Sequence, residues 1–433
     1  MMRFDGSALR LQQATLWLFG ISLFLIPAGL AGALVLLWLG FLLAAGSRET
    51  LGSLRDPAVL LVLAFVLYSP ARQLIGQWLG GESTKGDWGG VGEWMQLAAV
   101  FPFALALRAD AARLRQVLVL ALIGLLICIP LRADWELLLL DPGQWLMARD
   151  GFGFVVIAFG LYCAAALLGV LFLRWPSGRT ITAARWLAGL VLAQGLLFSQ
   201  SRASWLAFLA ALVVGLWLRR SNSPGLSWPW AGIKPGWRAW AAVILLAVVG
   251  GLNASLVLNR LTQEADSAVV LLEQPSDLTV QTSIGLRWRA QQLGLNLWLE
   301  RPWFGWGADT TPSLIAASAE DYALIDAGEV LVHLHNSYLE ILVQFGLVGL
   351  VLFFALVAAL FQGVLAAWRQ RLLPADLAIF LICLLLLTLI WNFFNFRMLH
   401  QDWRGFWALV AGSALSFGLA ARRRFTRTAD HNA

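Results

Sequence analysis

The sequence predicts an all-α polytopic membrane protein of about 12 transmembrane helices with one large loop on a single side. Two features of composition and one of pattern carry that expectation. Hydrophobic residues make up 60% of the 433 residues and charged residues only 13%, against roughly 25% charge in soluble domains. Mean hydropathy is +0.74. Apolar runs long enough for a hydrocarbon core of about 30 Å recur along the chain. A string of soluble domains is thereby excluded. The three cysteines, Cys128, Cys163 and Cys383, stand inside apolar runs with no neighbouring Cys or His, so neither a disulfide framework nor a zinc site is expected. The formal net charge is +6. The basic residues sit mostly in short loops between apolar runs, where membrane topology explains them without nucleic acid.

In order, the apolar runs fall at about 14–28, 30–46, 57–77, 91–107, 114–131, 151–173, 186–198, 204–218, 239–257, 337–361, 376–397 and 404–420. The first two are joined only around Pro27 to Leu30. The seventh and eighth are short, and Arg202 lies between them. No removable signal peptide is expected, because Met1 to Arg10 leads into no short apolar core with a cleavage site. With the N-terminus inside, 20 basic residues fall inside and 11 outside, which accounts for all 31 Lys and Arg. Both termini are then cytoplasmic. Three blocks result: membrane helices over 1–252, an outer loop over 253–336, and membrane helices with a cytoplasmic tail over 337–433.

The outer loop is the one soluble stretch long enough to hold structure of its own. Gln263-Glu264-Ala265-Asp266 reads as helical and Glu273 to Thr282 as mobile. Ile284 to Glu300 follows as an amphipathic helix. Its Ile284, Trp288, Leu295, Trp298 and Leu299 fall at helical spacing and are expected to rest on the membrane surface. A Pro-Gly turn comes next, at Arg301-Pro302-Trp303-Phe304-Gly305-Trp306-Gly307. The 23 tryptophans of the chain gather near the ends of the apolar runs, as interfacial belts do.

At the end of the loop, Leu334-His335-Asn336-Ser337-Tyr338-Leu339-Glu340 runs straight into Ile341 to Leu350. This pattern reads as a helix start at a membrane surface. Unpaired N–H groups and the positive helix end there would suit an anionic phosphate. The same positive end disfavours imidazolium and would help His335 accept a proton. A polar cap that merely contains a histidine fits the stretch as well. Of the other histidines, His333 is expected to pack, His400 to sit in a solvated loop, and His431 to be inert in the tail. Arg202 violates the positive-inside bias and is costly to desolvate, which makes it a functional candidate. Snorkelling to the headgroups is its plain reading. Guanidinium offers paired donors to phosphate oxygens, but with 29 Arg against 2 Lys its identity alone says little.

Three stretches together carry a resemblance. His335-Asn336-Ser337-Tyr338-Leu339-Glu340 with Gln344-Phe345-Gly346-Leu347-Val348-Gly349 resembles the HNxxL…GxxG signature of the O-antigen ligase and polymerase superfamily. Ser201-Arg202-Ala203-Ser204-Trp205-Leu206-Ala207 resembles its SRxxWLA-like outer turn. Arg287 followed by Pro302 to Gly307 resembles its R…PxxGxG loop. The matches cover roughly Ser199 to Leu350, in the family's order. Gln291 departs from the pattern, standing where the family often has an aromatic.

The resemblance implies a glycosyltransferase C-like helical enzyme on the outer face of the bacterial inner membrane, working without metal or cofactor. Its donor would be a glycan on undecaprenyl pyrophosphate. The favoured branch is the ligase, with lipid A–core as acceptor, because one outer loop dominates rather than two. A polymerase using the same donor is the alternative. A lipid-linked glycan transporter is the reading from another class, disfavoured because the spans hold almost no Asp or Glu. The implied catalytic residues are His335 as proton acceptor, with Arg287 and Arg202 holding the departing pyrophosphate. Substrate contacts would come from Asn336, Arg289, Gln291, Gly305, Gly307 and Arg72. Arg287 and Arg289 point about 200° apart on a helix, so both cannot face one phosphate. Arg287 shares its side with Gln291 and Gly294. Arg289 lies nearer Gln292 and Asn296 and is expected to meet water or lipid headgroups.

Overall fold

The computed structural model describes residues 6–44, 48–78, 88–221, 283–326 and 329–432, with 251, 253, 254, 258 and 262. In chain order the helices are α1 (Gly6–Leu25), α2 (Pro27–Ala44), α3 (Arg48–Ser53), α4 (Pro57–Trp78), α5 (Trp88–Met95) and α6 (Val100–Leu107). Then come α7 (Ala111–Arg132), α8 (Trp135–Leu140), α9 (Pro142–Met147), α10 (Val156–Phe172), α11 (Arg179–Phe198) and α12 (Arg202–Ser221). The last five are α13 (Ser283–Glu300), α14 (Thr311–Ala317), α15 (Ser337–Arg369), α16 (Ala375–Phe394) and α17 (Gln401–Asn432). The strands β1 (Ile325–Asp326) and β2 (Glu329–Val330) pair antiparallel, Ile325 opposite Val330.

Among the described residues, nine helices are long and apolar enough to cross a membrane. The chain is an all-α polytopic membrane protein. A helix lies on each of the first eight expected segments and on each of the last three. The ninth, 239–257, falls outside the described residues save for 251, 253 and 254, as do the helix expected at Gln263 to Asp266 and the stretch from Glu273 to Thr282. The seventh and eighth segments are longer than expected. α11 and α12 run 20 residues each, about 30 Å at 1.5 Å per residue. Hydropathy stops at Arg185 and at Arg219, whereas the helical backbone continues through them.

The chain divides into two compact units, one of residues 1–128, 278–385 and 392–433, the other of 129–277 and 386–391. In the first, α17 packs against α15 and α6, and α15 against α4 and α13. Gly363 and Gly418 let α15 and α17 approach closely: a Cβ on either would lie 3.0 Å from the other's Cα. Arg115 grips both oxygens of Asp376 (2.9 and 2.8 Å), and Arg422 pairs with Asp56 (2.6 Å). In the second unit, α10 packs against α11 and α12. Gly160 of α10 makes room for Ser199 and Ser204. Trp391 donates its indole N–H to the Ile157 carbonyl (3.3 Å) and to Ser204 Oγ (3.2 Å).

Helix α13 differs from its expected face. Leu286, Ala290, Leu293 and Leu297 are its buried stripe, at helical spacing. Ala290, Leu293 and Leu297 close a small core with Ile315, Leu324, Leu334, Leu339 and Val343. Trp288, Leu295 and Leu299 point outward, while Trp298 packs on the core and donates to Pro302 O (3.1 Å). The helix is apolar on two sides, and the expected stripe is mostly the outer one.

Candidate active site

Helix α15 is not continuous. Gly346 adopts φ 64°, ψ −166°, a region open essentially to glycine alone. Nine residues, Ser337 to Phe345, precede the break. The 23 that follow, Leu347 to Arg369, measure about 34 Å and suffice to cross a bilayer core.

A break inside an apolar helix orphans carbonyls on one side and N–H groups on the other. The turn after α13 satisfies both sets with its own main chain. Trp306 and Gly307 donate to the Val343 and Gln344 carbonyls (both 2.8 Å). Leu347 and Val348 donate to the Pro302 and Trp303 carbonyls (2.8 and 3.2 Å). Tyr68 Oη donates to Phe345 O (3.2 Å). Two glycines permit the contact. A Cβ on Gly305 would meet the Gln344 and Phe345 backbone at 2.5 Å, and one on Gly346 would overlap the Trp303 backbone. Arg72 then fastens the turn, donating to the carbonyls of Phe304 (3.0 Å) and Gly305 (2.8 Å). Arg301 lies over the Trp306 ring at 4.0 Å. Arg72, Gly305 and Gly307, expected at the substrate, thus shape and hold this turn.

The helix starts where the sequence placed it. Asn336 is the cap, its Oδ1 accepting from the Tyr338 and Leu339 N–H groups (3.0 and 3.2 Å). Ser337 N donates to Asn395 O (3.1 Å) and Glu340 N to Asn336 O (3.0 Å). The N–H groups of Ser337 to Glu340 all have acceptors within the protein. The helix dipole points to the expected anion site, but these four N–H groups and the Asn336 side chain are already engaged.

His335, just before the cap, has φ 54°, a left-handed conformation that costs a residue with a Cβ about 1–2 kcal/mol. Its ring stands edge-on to that of His333, centroids 4.3 Å apart. The Nδ1 atoms of both are buried without a hydrogen-bond partner. Burial, then the neighbouring His333, then the Arg287 charge hold the His335 imidazole down to about 3. Burial is also the chief reason His333 lies at about 4, with His400, Arg287 and Arg397 adding to it. The neutral imidazole expected from the helix end is present, and desolvation is its main cause. His333 packs, as expected, and His400 is exposed.

On α13, Arg287 and Gln291 are partly exposed, while Gly294 touches the start of α15. A Cβ there would lie 2.7 Å from Leu339 Cδ2 and 2.8 Å from Leu334 Cδ1. The Arg287 side of α13 therefore faces the His335 segment. Arg289 corrects another expectation. It is only 3% exposed, and Nη2 reaches the Ala323 carbonyl at 3.4 Å. That carbonyl lies in the turn after α14; the sequence reading placed nothing over that face. Arg202 belongs to the second unit, as the first residue of α12. The serine turn before it is closed by Ser201 Oγ, which accepts from Ser204 Oγ (2.9 Å), with Gln200 at φ 49°. Trp205 Nε1 donates to Leu196 O (2.8 Å) across the turn.

Residues 187–354 match the family model described as O-Antigen ligase. That segment is similar to the O-antigen ligase family, which supports the O-antigen ligase/polymerase superfamily. The match takes in α12 with Arg202, α13 with Arg287, the 301–307 turn, His335 and the break at Gly346. The superfamily's activity is that of a glycosyltransferase-like ligase or polymerase in a membrane. No curated protein matches the chain.

Two site features escaped the sequence reading: the interlock of the turn with the broken helix, and the burial of Glu340 and Gln344. A signal for the second was present. Glu and Gln stand four apart in an otherwise apolar run, where a charge is costly unless it has work to do.

Proposed function

We propose that the chain is an O-antigen ligase transferring a glycan from undecaprenyl pyrophosphate to lipid A–core, with inversion at the anomeric carbon. The observation that carries this reading is the buried, unpartnered Nδ1 of His335, on the segment that the Arg287 side of α13 faces. His335 accepts the proton of the acceptor hydroxyl while its oxygen attacks the anomeric carbon. The bond to the pyrophosphate oxygen breaks, and Arg287 balances the charge that leaves. An imidazole held at about 3 is a weak base. Pairing of Arg287 with the anionic donor offsets one of the charges that hold it down, so a bound donor strengthens the base against the opposing effect of burial. Arg202 enters as a second donor contact on its motif alone. The site faces the periplasm of the inner membrane with both termini cytoplasmic, a reading supported by the distribution of basic residues.

Purified protein given a lipid-linked donor tests this. His335→Ala should remain folded and membrane-inserted and lose transfer; near-normal transfer would reduce the histidine to part of a cap. A deletion strain separates the branches. Loss of every long lipopolysaccharide ladder with lipid-linked polymer accumulating fits the ligase. A single-repeat cap fits the polymerase.

A further inference from the structure

Glu340 is fully buried, three residues into an apolar helix. Its Oε1 accepts the Leu334 N–H (2.8 Å) and its Oε2 accepts from Gln344 Nε2 (3.0 Å). Gln344, also buried, turns its Oε1 to Trp94 Nε1 (2.9 Å) and to the Asp309 N–H (3.1 Å). Its Nε2 also reaches Thr311 Oγ1 (3.3 Å). Trp94 Nε1 and the Asp309 amide can only donate, so the oxygen of Gln344 must face them and its amide must face Glu340. The relay has a single direction. One end is the amide of the residue before His335, and the other is the amide two residues after Gly307.

We propose that Glu340 and Gln344 are positioning residues that hold the His335 segment in register with the 301–307 turn. The inference rests on the proposed role of His335. The left-handed backbone at His335 is strained and persists only if its surroundings fix it. Its own ring nitrogen Nδ1 supplies no tether. The tether on the preceding residue is the bond from Leu334 to Glu340, and the turn shares the same two side chains through Asp309. Displacement of either end is thereby felt at the other.

The donor order makes the idea testable. Glu340→Gln sets an amide NH2 against a donor, at Leu334 or at Gln344. Flipping Gln344 to relieve it turns that residue's NH2 onto Trp94 and Asp309. No arrangement satisfies every group, and a buried donor left unpaired is costly. The double swap Glu340→Gln/Gln344→Glu restores every pair once the Thr311 hydroxyl turns to donate: the new carboxylate accepts from Trp94, Asp309, Thr311 and the new amide, whose carbonyl accepts from Leu334.

The full-length protein is assayed for initial rates over a range of lipid-linked donor concentrations, alongside amide hydrogen exchange of the 303–309 and 331–336 peptides. Glu340→Gln should lower kcat by about tenfold or more with donor KM nearly unchanged, and should speed exchange in both peptides. The double swap should recover most of the kcat and the protection. A swap no better than Glu340→Gln overturns the proposal, as does a swap that does not fold or a Glu340→Gln variant with unaltered kcat and exchange. If the unmodified protein transfers nothing, the proposed function fails. The exchange patterns of the two variants still decide the relay.

Discussion

Replacing Gly346 with alanine should unlatch the turn from α15, and the size of the effect follows from the geometry. At φ 64°, ψ −166°, a residue with a Cβ bears about 1–3 kcal/mol of backbone strain. The new methyl also overlaps the Trp303 backbone, so the turn must withdraw. Withdrawal breaks the bonds from Leu347 and Val348 to the turn and those from Trp306 and Gly307 to the helix, each worth about 1 kcal/mol net. About 5–7 kcal/mol is at stake, a large share of the 5–15 kcal/mol that holds most proteins folded. At an unfolding entropy of about 2.1 cal/mol/K per residue, a chain of 433 residues shifts by roughly 1 °C per kcal/mol, so the melting temperature should fall by about 5–8 °C. Thermal scans in one detergent at one scan rate measure it, with Gly32→Ala as control. A Cβ at Gly32 of α2 meets nothing within 4 Å, so that variant should melt within about 2 °C of the parent. If Gly346→Ala melts with the control, the interlock does not hold this part of the fold together.

Arg287→Ala and Arg287→Lys should both abolish transfer, because paired guanidinium donors are lost. Arg289→Ala should retain most transfer activity but lower thermal stability, its side chain being buried against Ala323 O; the opposite ranking of the two arginines in transfer assays would refute the placement of α13. His333 and His335 bind protons far below the ordinary 6.5, at about 4 and about 3. Between about pH 4 and 6.5 the unfolded chain therefore holds protons that the folded one refuses. Stability should be level above pH 6.5 and decline as pH drops through that window, less steeply in His335→Asn than in the parent; equal slopes in melting experiments would contradict the burial of the imidazole. A topology reporter fused at Thr310 should be active only on the periplasmic side, and cytoplasmic activity would end the placement of the site.

What the sequence made legible follows from where the physics is local. Hydropathy finds a helix wherever apolar residues run together, so α15, α16 and α17 were placed within a few residues apart from their polar extensions. The cap at Asn336 was readable because capping needs only a short polar side chain at the right step. Arg287 was separated from Arg289 by helical geometry alone. The outer exposure assigned to Arg289 failed because the turn at Ala323 that meets it is distant in sequence and carries no hydropathy signal. The break at Gly346 was hidden for a related reason. A glycine in an apolar run looks like any helix-packing glycine until the chain that meets it, forty residues earlier, is brought alongside. The stripe of Leu286, Ala290, Leu293 and Leu297 lost out to larger tryptophans on the opposite side.

The latch at Gly346 joins main chain to main chain. Apart from the bonds given by Tyr68 and Arg72, backbone atoms alone meet there, so beyond the glycines at 305 and 346 the junction places few demands on the side chains that flank it. Trp303 and Phe304 are 62% and 59% exposed, although their backbones sit against Gly346. Their rings can be exchanged for others while the junction keeps its shape. The turn is thus a fixed frame with interchangeable fittings, and libraries that vary positions 303 and 304 would alter what the turn presents to its surroundings without loosening it from the helix.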